Sequence, residues 1–173
     1  MFDFPLHPVF VHFTVALSFT AIGAYLISYI LPVGKLKNDL GVSAVWMILF
    51  SFIATLFTVT FGFIQFNSVR HDMLVHLPMV SHRNWALGTA VVLFMCSLLA
   101  LRGYIANKIH HYSLMISLLI LGFMVGMTAF KGGHLVYGYG VGVKSTAELR
   151  DLQKSTSEEP KRDNLFEMNP INK

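Results

Sequence analysis

The sequence predicts an all-α integral membrane protein: an up-down four-helix bundle followed by an irregular glycine-rich segment and a polar tail. Two observations decide the class. Of 173 residues, 54% are hydrophobic and only 13% charged, whereas a soluble domain carries about a quarter charged residues. The charges also avoid, almost entirely, four long stretches, 8–31, 40–69, 84–101 and 112–130. A helix rises about 1.5 Å per residue, so each stretch crosses or nearly crosses a hydrocarbon core about 30 Å thick. A soluble globular enzyme, a β-barrel and a disordered chain are excluded together.

The expected organisation is a transmembrane domain over 1–143, with spans at about 8–31, 42–66, 80–101 and 110–130, and a tail over 144–173. The first run is too long, and too close to the N-terminus, for a cleaved signal peptide with a basic start. Four spans put both ends of the domain on one side, here called side A, together with the 67–83 connection. Side B holds two short connections, 32–39 and 102–111. The first contains Pro32 and Gly34, which stop a helix and make the first two spans antiparallel neighbours. Connections this short favour up-down topology.

Charge placement speaks about partners. In the tail, six basic residues balance six acidic ones, so the net charge of +4 belongs to residues flanking the spans. Basic residues there meet lipid headgroups or fix topology; they do not form a nucleic-acid surface. Side B carries Lys35, Lys37, Arg102 and Lys108 against Asp39, and side A before the tail carries Arg70, Arg83 and Lys131 against Asp3 and Asp72. The basic excess on side B places it inside, with both termini on the outer side of the membrane. The single cysteine, Cys96, allows neither a disulfide framework nor a thiolate metal site. No Ser-His-Asp or paired-carboxylate arrangement is credible in spans without acids, so the sequence does not decide whether the protein is an enzyme.

Eight histidines carry most of the remaining chemistry. His7, His12, His71, His76, His82 and His134 lie on side A or in the first turns of helices entering from it; His110 and His111 face side B, where they cap or anchor the fourth helix. Ionisable groups at membrane depth are costly and usually mark a site or a wet cavity. The first helix opens His7-Pro8-Val9-Phe10-Val11-His12, and the third is expected to open Leu77-Pro78-Met79-Val80-Ser81-His82. Proline suits the first helical position, and in both segments a histidine follows four residues later, about 6 Å along the axis. Two imidazoles at one depth on helices running the same way are what a bis-histidine haem requires. His12 and His82 are the expected ligands, with Arg83, Arg70 or Lys131 near the propionates and Phe10, Phe13, Phe61, Phe63 and Trp85 as apolar walls. The plain alternative is that such histidines bond to water, headgroups or backbone carbonyls. His7, His76 and His134 form a weaker second set, for copper, zinc or a quinone carbonyl.

The segment 132–143 has five glycines in twelve residues. That density predicts that the fourth helix ends near 130 and that an irregular or extended stretch packs on side A. It is either a tight turn packing Tyr137 and Tyr139 at the interface or a lid that brings His134 or a tyrosine hydroxyl to a ligand.

The opening His7-Pro8-x-x-Val11-His12-Phe13, the histidine before the third span and the closing Gly-Gly-x-Leu-Val-Tyr-x-x-Gly-Val-Gly-Val at 132–143 resemble bacterial predicted membrane proteins grouped as domain-of-unknown-function family 2231. The resemblance covers about 5–143. It implies a four-helix fold with both ends of the domain meeting on side A, in a bacterial inner membrane. Some members are joined to c-type cytochrome domains, which implies an electron-transfer setting outside the cytoplasm. Many members have a proline where Thr14 stands and a histidine where Phe130 stands, so no ligand is carried over to position 130.

The expected function is a cytochrome b-like membrane electron-transfer subunit with one haem b between His12 and His82, linking quinol to an outer redox partner such as a c-type cytochrome subunit. The rival readings are a non-catalytic assembly or anchoring subunit of a larger membrane complex and, third, a small transporter or metal-binding protein. Transport sites usually lie near the midplane at broken helices, and these spans lack both acids and internal prolines.

Overall fold

In the computed structural model, residues 6–68, 73–142, 150, 151 and 154 are described. Four long helices run in the order α1 (Leu6–Ile30), α2 (Lys35–Ser68), α3 (Met73–Ile105) and α4 (Tyr112–Tyr139). All four are long and apolar enough to cross a membrane, and only 22–28% of the most apolar window of each is buried inside the protein. The rest of each span faces outward, as lipid-exposed helices require. Large apolar residues such as Phe19, Ile53, Phe94 and Phe123 are accordingly exposed.

Each helix buries one narrow stripe. On α1 it runs through Thr14, Ser18, Ala21 and Tyr25, on α2 through Ala44, Ile48, Ser51 and Thr55, on α3 through Thr89, Leu93, Cys96 and Ala100, and on α4 through Leu114, Leu118, Leu121 and Val125. All four stripes follow the spacing i, i+4, i+7, i+11, the pattern of helices packed side by side at a crossing angle of about 20°. The helices form a ring: α1 packs on α2, α2 on α3, α3 on α4 and α4 on α1. Among the described residues, the diagonal partners α1 and α3, and α2 and α4, do not touch.

Polar bonds hold the α1–α2 hairpin. Ser18 and Ser51 hydroxyls lie 2.7 Å apart, and the Ser51 hydroxyl reaches the Thr14 carbonyl at 3.1 Å. Such small hydroxyl residues let helices approach closely in lipid, where each bond contributes about 0.6 kcal/mol.

Three boundaries differ from the sequence expectation. α2 starts at Lys35, with the Lys37 ammonium donating to the carbonyls of Tyr29 and Leu31 at the end of α1. α3 starts at Met73, so Pro78 sits inside the helix and does not open it. α4 continues through the glycine-rich stretch to Tyr139, correcting the expectation of an irregular segment from about 131. The cost of helical glycine, about 1 kcal/mol each relative to alanine, is offset because Leu135 packs with Val75 and Met79, and Gly132 receives a histidine ring. The helix stops at Gly140, whose φ of 65° is left-handed; its N–H donates to the Val136 carbonyl, and that of Val141 to Leu135. Beyond it, the Arg150 guanidinium donates to the Tyr139 carbonyl. His71, Arg70 and most of the 144–173 tail lie outside the described residues.

On side B the α3–α4 loop is clasped to α1. The buried Tyr25 hydroxyl lies 3.2 and 3.1 Å from the carbonyls of Ile109 and His111 and accepts the His111 N–H at 3.1 Å. Ser28 donates to the Tyr25 carbonyl, and the His110 Nε2–H donates to the Ser28 oxygen at 3.0 Å. His111 caps α4, its Nδ1 accepting the Leu114 N–H, as expected of this pair. His110 titrates below the ordinary imidazole value of 6.5, because burial penalises its charged form and the Lys37 ammonium repels it. Neutral His110 therefore favours the fold. Its contribution is complete above about pH 6.5 and declines as the pH falls through the lowered folded value. Thermal unfolding in detergent micelles should show a melting temperature that drops between pH 8 and pH 5, with a smaller drop in His110→Gln. Tyr25→Phe, which leaves the His111 N–H unpaired, should cost about 1–3 kcal/mol at pH 8; an unchanged melting temperature would count against the clasp.

Candidate functional site

The site grows from a contact that both hairpins share, a histidine of the first helix against a glycine of the second. In the first, the His7 ring on α1 lies against Gly62 of α2, where an added Cβ would stand 3.0 Å from its Cε1. In the second, the His82 ring on α3 lies against Gly132 of α4 at the same 3.0 Å. One hairpin joins Thr14 to Thr58 through their hydroxyls at 2.9 Å, and the other joins Thr89 to Thr128 at 2.8 Å. The sequence offsets agree: Thr14 follows His7, and Thr89 follows His82, by seven positions; Gly62 follows Thr58, and Gly132 follows Thr128, by four. Seven residues are close to two helical turns and four close to one, so in each helix the paired residues share a face. The two hairpins thus repeat one design. Because α1 and α3 enter from the same side, the repeat relates them by a rotation about an axis along the bundle, the parallel arrangement known for duplicated membrane folds.

The repeat makes His7, rather than His12, the counterpart of His82. His12 is exposed on the outer face of α1, its Nδ1 bonded to the Pro8 carbonyl of its own helix at 2.5 Å. The cause is rotation: five residues separate His7 from His12, about 500° of helix, which turns the rings some 140° apart.

His7 has a defined tautomer. Its Nδ1 lies 2.9 Å from the Thr58 carbonyl, which only accepts, so Nδ1 carries the proton and Nε2 keeps its lone pair. An imidazole oriented through Nδ1–H to a backbone carbonyl, with Nε2 free, is the usual preparation for metal ligation. His82 is half-buried beside the Thr128 backbone, but its Nδ1 makes no hydrogen bond. That atom and the Oε1 of Gln65, three positions beyond Gly62, are the buried side-chain polar atoms without a partner among the described residues. Both are at the side-A end. Burying an unbonded polar atom costs about 1–3 kcal/mol.

The flanking residues hold their own contacts. The Arg83 guanidinium lies 5.1 Å over the Phe66 ring. The Lys131 ammonium donates to the Ser81 hydroxyl at 3.1 Å and sits 5.9 Å from the Trp85 ring. Trp85 meets Phe123 edge-on at 6.2 Å. Phe10 stacks on Phe57 and Phe61, whereas Phe13 and Phe63 are exposed. His76 and His134 are exposed as well, the latter stacked on Phe130 and edge-on to Tyr139. Among the described residues no three of His, Cys, Asp and Glu gather as a metal set, so His7, His76 and His134 are not brought together.

Fold and site define a class: a four-helix integral membrane protein whose two hairpins each set a histidine of the first helix against a glycine of the second. Residues 3–145 match the model of the predicted membrane protein family DUF2231, and the chain belongs to that family. No curated protein and no solved structure matches it.

Two measurements check the geometry. Nitrogen-15 spectra of histidine-labelled protein near neutral pH, assigned with His7→Gln, should show His7 protonated at Nδ1 and bare at Nε2; the opposite tautomer would break the bond to Thr58. Gly132→Val should displace the His82 ring and cost about 1–3 kcal/mol in thermal unfolding.

Proposed function

We propose that the protein is a membrane electron-transfer subunit that holds haem b through His7 and His82 near side A. The observation that carries this reading is the His7 ring, whose Nδ1–H is given to the Thr58 carbonyl, leaving Nε2 without a partner among the described residues, with its counterpart His82 set in the same way against Gly132. The residues suit the group. Two imidazoles are a standard axial pair for haem iron and bundle cores are frequent haem sites. Gly62 and Gly132 let each ring sit close against the neighbouring helix, where a larger side chain would collide with it. Arg83 and Lys131 supply two cations for carboxylates at the membrane boundary.

When bound, haem supplies one-electron oxidation and reduction. The chain does the rest: Thr58 orients His7, the Thr14–Thr58 and Thr89–Thr128 bonds fix each hairpin, and the surrounding apolar helices exclude water. The electron source in this reading is a membrane quinol, and the acceptor is a redox subunit on the outer face, such as a c-type cytochrome. The membrane is then a bacterial inner membrane, with side A and both termini outward.

Haem titration of the purified full-length protein tests this. Wild type and His12→Ala should develop a Soret band that shifts on reduction, while His7→Ala and His82→Ala should lose it or weaken it at least tenfold. Absence of any haem band in the wild type, or loss in His12→Ala alone, would overturn the proposal. A stable stoichiometric complex without any cofactor would select an assembly or anchoring subunit instead.

A further inference from the structure

Side B carries a second feature, independent of the histidine pair. An open cavity of about 500 Å³ lies where α3 ends and α4 begins, lined by Leu99, Arg102, Gly103, Lys108, His111 and Ser113 among others. Its composition is divided. Leu99, half-buried against the core of the bundle, gives the cavity an apolar inner wall. Arg102, in the last turn of α3, and Lys108, in the loop, are exposed cations.

These cations differ from Lys37 on the same side, which is engaged by two carbonyls of α1. Neither the Arg102 nor the Lys108 side chain has a hydrogen-bond or ion-pair partner among the described residues. Their backbones are nonetheless fixed. The Ala106 N–H donates to the Arg102 carbonyl at 3.0 Å and the Lys108 N–H to the Gly103 carbonyl at 2.8 Å, across a turn in which Asn107 takes a left-handed φ of 52°. Asparagine tolerates that conformation better than most residues. Gly103 is required by close approach: a Cβ there would meet the His111 Nε2 at 2.9 Å and the Lys108 carbonyl at 3.0 Å. The His111 Nδ1 is occupied by the Leu114 N–H and lies 2.8 Å from the Ser113 hydroxyl. The start of α4 adds the positive end of its dipole. A tightly made turn therefore presents two unpaired cations above an apolar wall at the membrane boundary.

We infer that this cavity binds the phosphate of an anionic phospholipid, with Arg102 and Lys108 on the phosphodiester and an acyl chain along the Leu99 wall. Arginine offers its planar fork to phosphate oxygens and lysine a point charge. The apolar wall distinguishes a lipid from free phosphate, which would have no use for it.

The test uses the full-length protein in mild detergent, with retained lipid read by native mass spectrometry and melting temperature read in parallel. Phosphatidylglycerol should bind and raise the melting temperature, and phosphatidylcholine should do neither. Arg102→Gln with Lys108→Gln should weaken phosphatidylglycerol binding roughly tenfold to thirtyfold, given the contribution of each basic residue near an anionic surface. Lys35→Gln, a side-B cation outside the cavity, should leave it unchanged. Equal loss in Lys35→Gln, or none in the double variant, would overturn the inference. So would full displacement of the lipid by inorganic phosphate at matched concentration, which would make this a site for free phosphate. Should the double variant fold poorly, Gly103→Ala, which crowds His111 without removing charge, should weaken lipid binding less than Arg102→Gln alone; the reverse order would also overturn it.

Discussion

Helices in a bilayer gain little from burying apolar surface, because lipid is as apolar as leucine, so they must find each other through small residues, close packing and polar bonds. The arrangement here follows from that constraint. Four stripes at seven-residue repeat select side-by-side packing, and within each hairpin a threonine pair and a histidine ring set against glycine fix rotation and depth. The remaining polar bonds serve the ends: the serine ladder between α1 and α2, and the Tyr25 clasp that ties the α3–α4 loop to α1. Aromatics such as Phe19, Phe94 and Phe123 are left to face the lipid.

The same contacts that orient the hairpins also prepare the imidazoles. A histidine whose Nδ1–H is given to a backbone carbonyl has its ring oriented by that bond, and its Nε2 has no partner among the described residues. Repetition of the design places a second histidine at the same end of the bundle on the diagonal helix. A cofactor held by the two would join hairpins whose helices α1 and α3 do not otherwise touch. Side B carries tight turns, the His111 cap of α4 and the cations that flank the spans.

The class of fold was legible because it rests on bulk properties: charge-free length and short connections survive any error in helix phase. The end of α4 was not. Glycine density argues for a break, and only the buried contact of Leu135 with Val75 and Met79 shows why the helix continues. The correspondence of His7 with His82 was not legible: matching Pro8 with Pro78 sets His12 against His82, whereas Pro78 lies inside α3 and is no helix start. The informative signal was the spacing to threonine, His7 to Thr14 and His82 to Thr89, answered by Thr58 to Gly62 and Thr128 to Gly132. These pairs are short, polar and spread over four helices, and they acquire meaning only when the hairpins are superposed. The side-B cavity was legible only as a basic bias, since nothing in the sequence separates the engaged Lys37 from Arg102 and Lys108, whose side chains have no partner among the described residues.

The claim on which the account depends is that His7, not His12, faces His82 across the bundle. Thiol cross-linking in native membranes tests it directly. In a Cys96→Ala background, His7→Cys with His82→Cys should be joined by a short bifunctional thiol reagent, while His12→Cys with His82→Cys should not. Efficient cross-linking of the 12/82 pair with none at 7/82 would contradict the repeat, the histidine pairing and the site built on them.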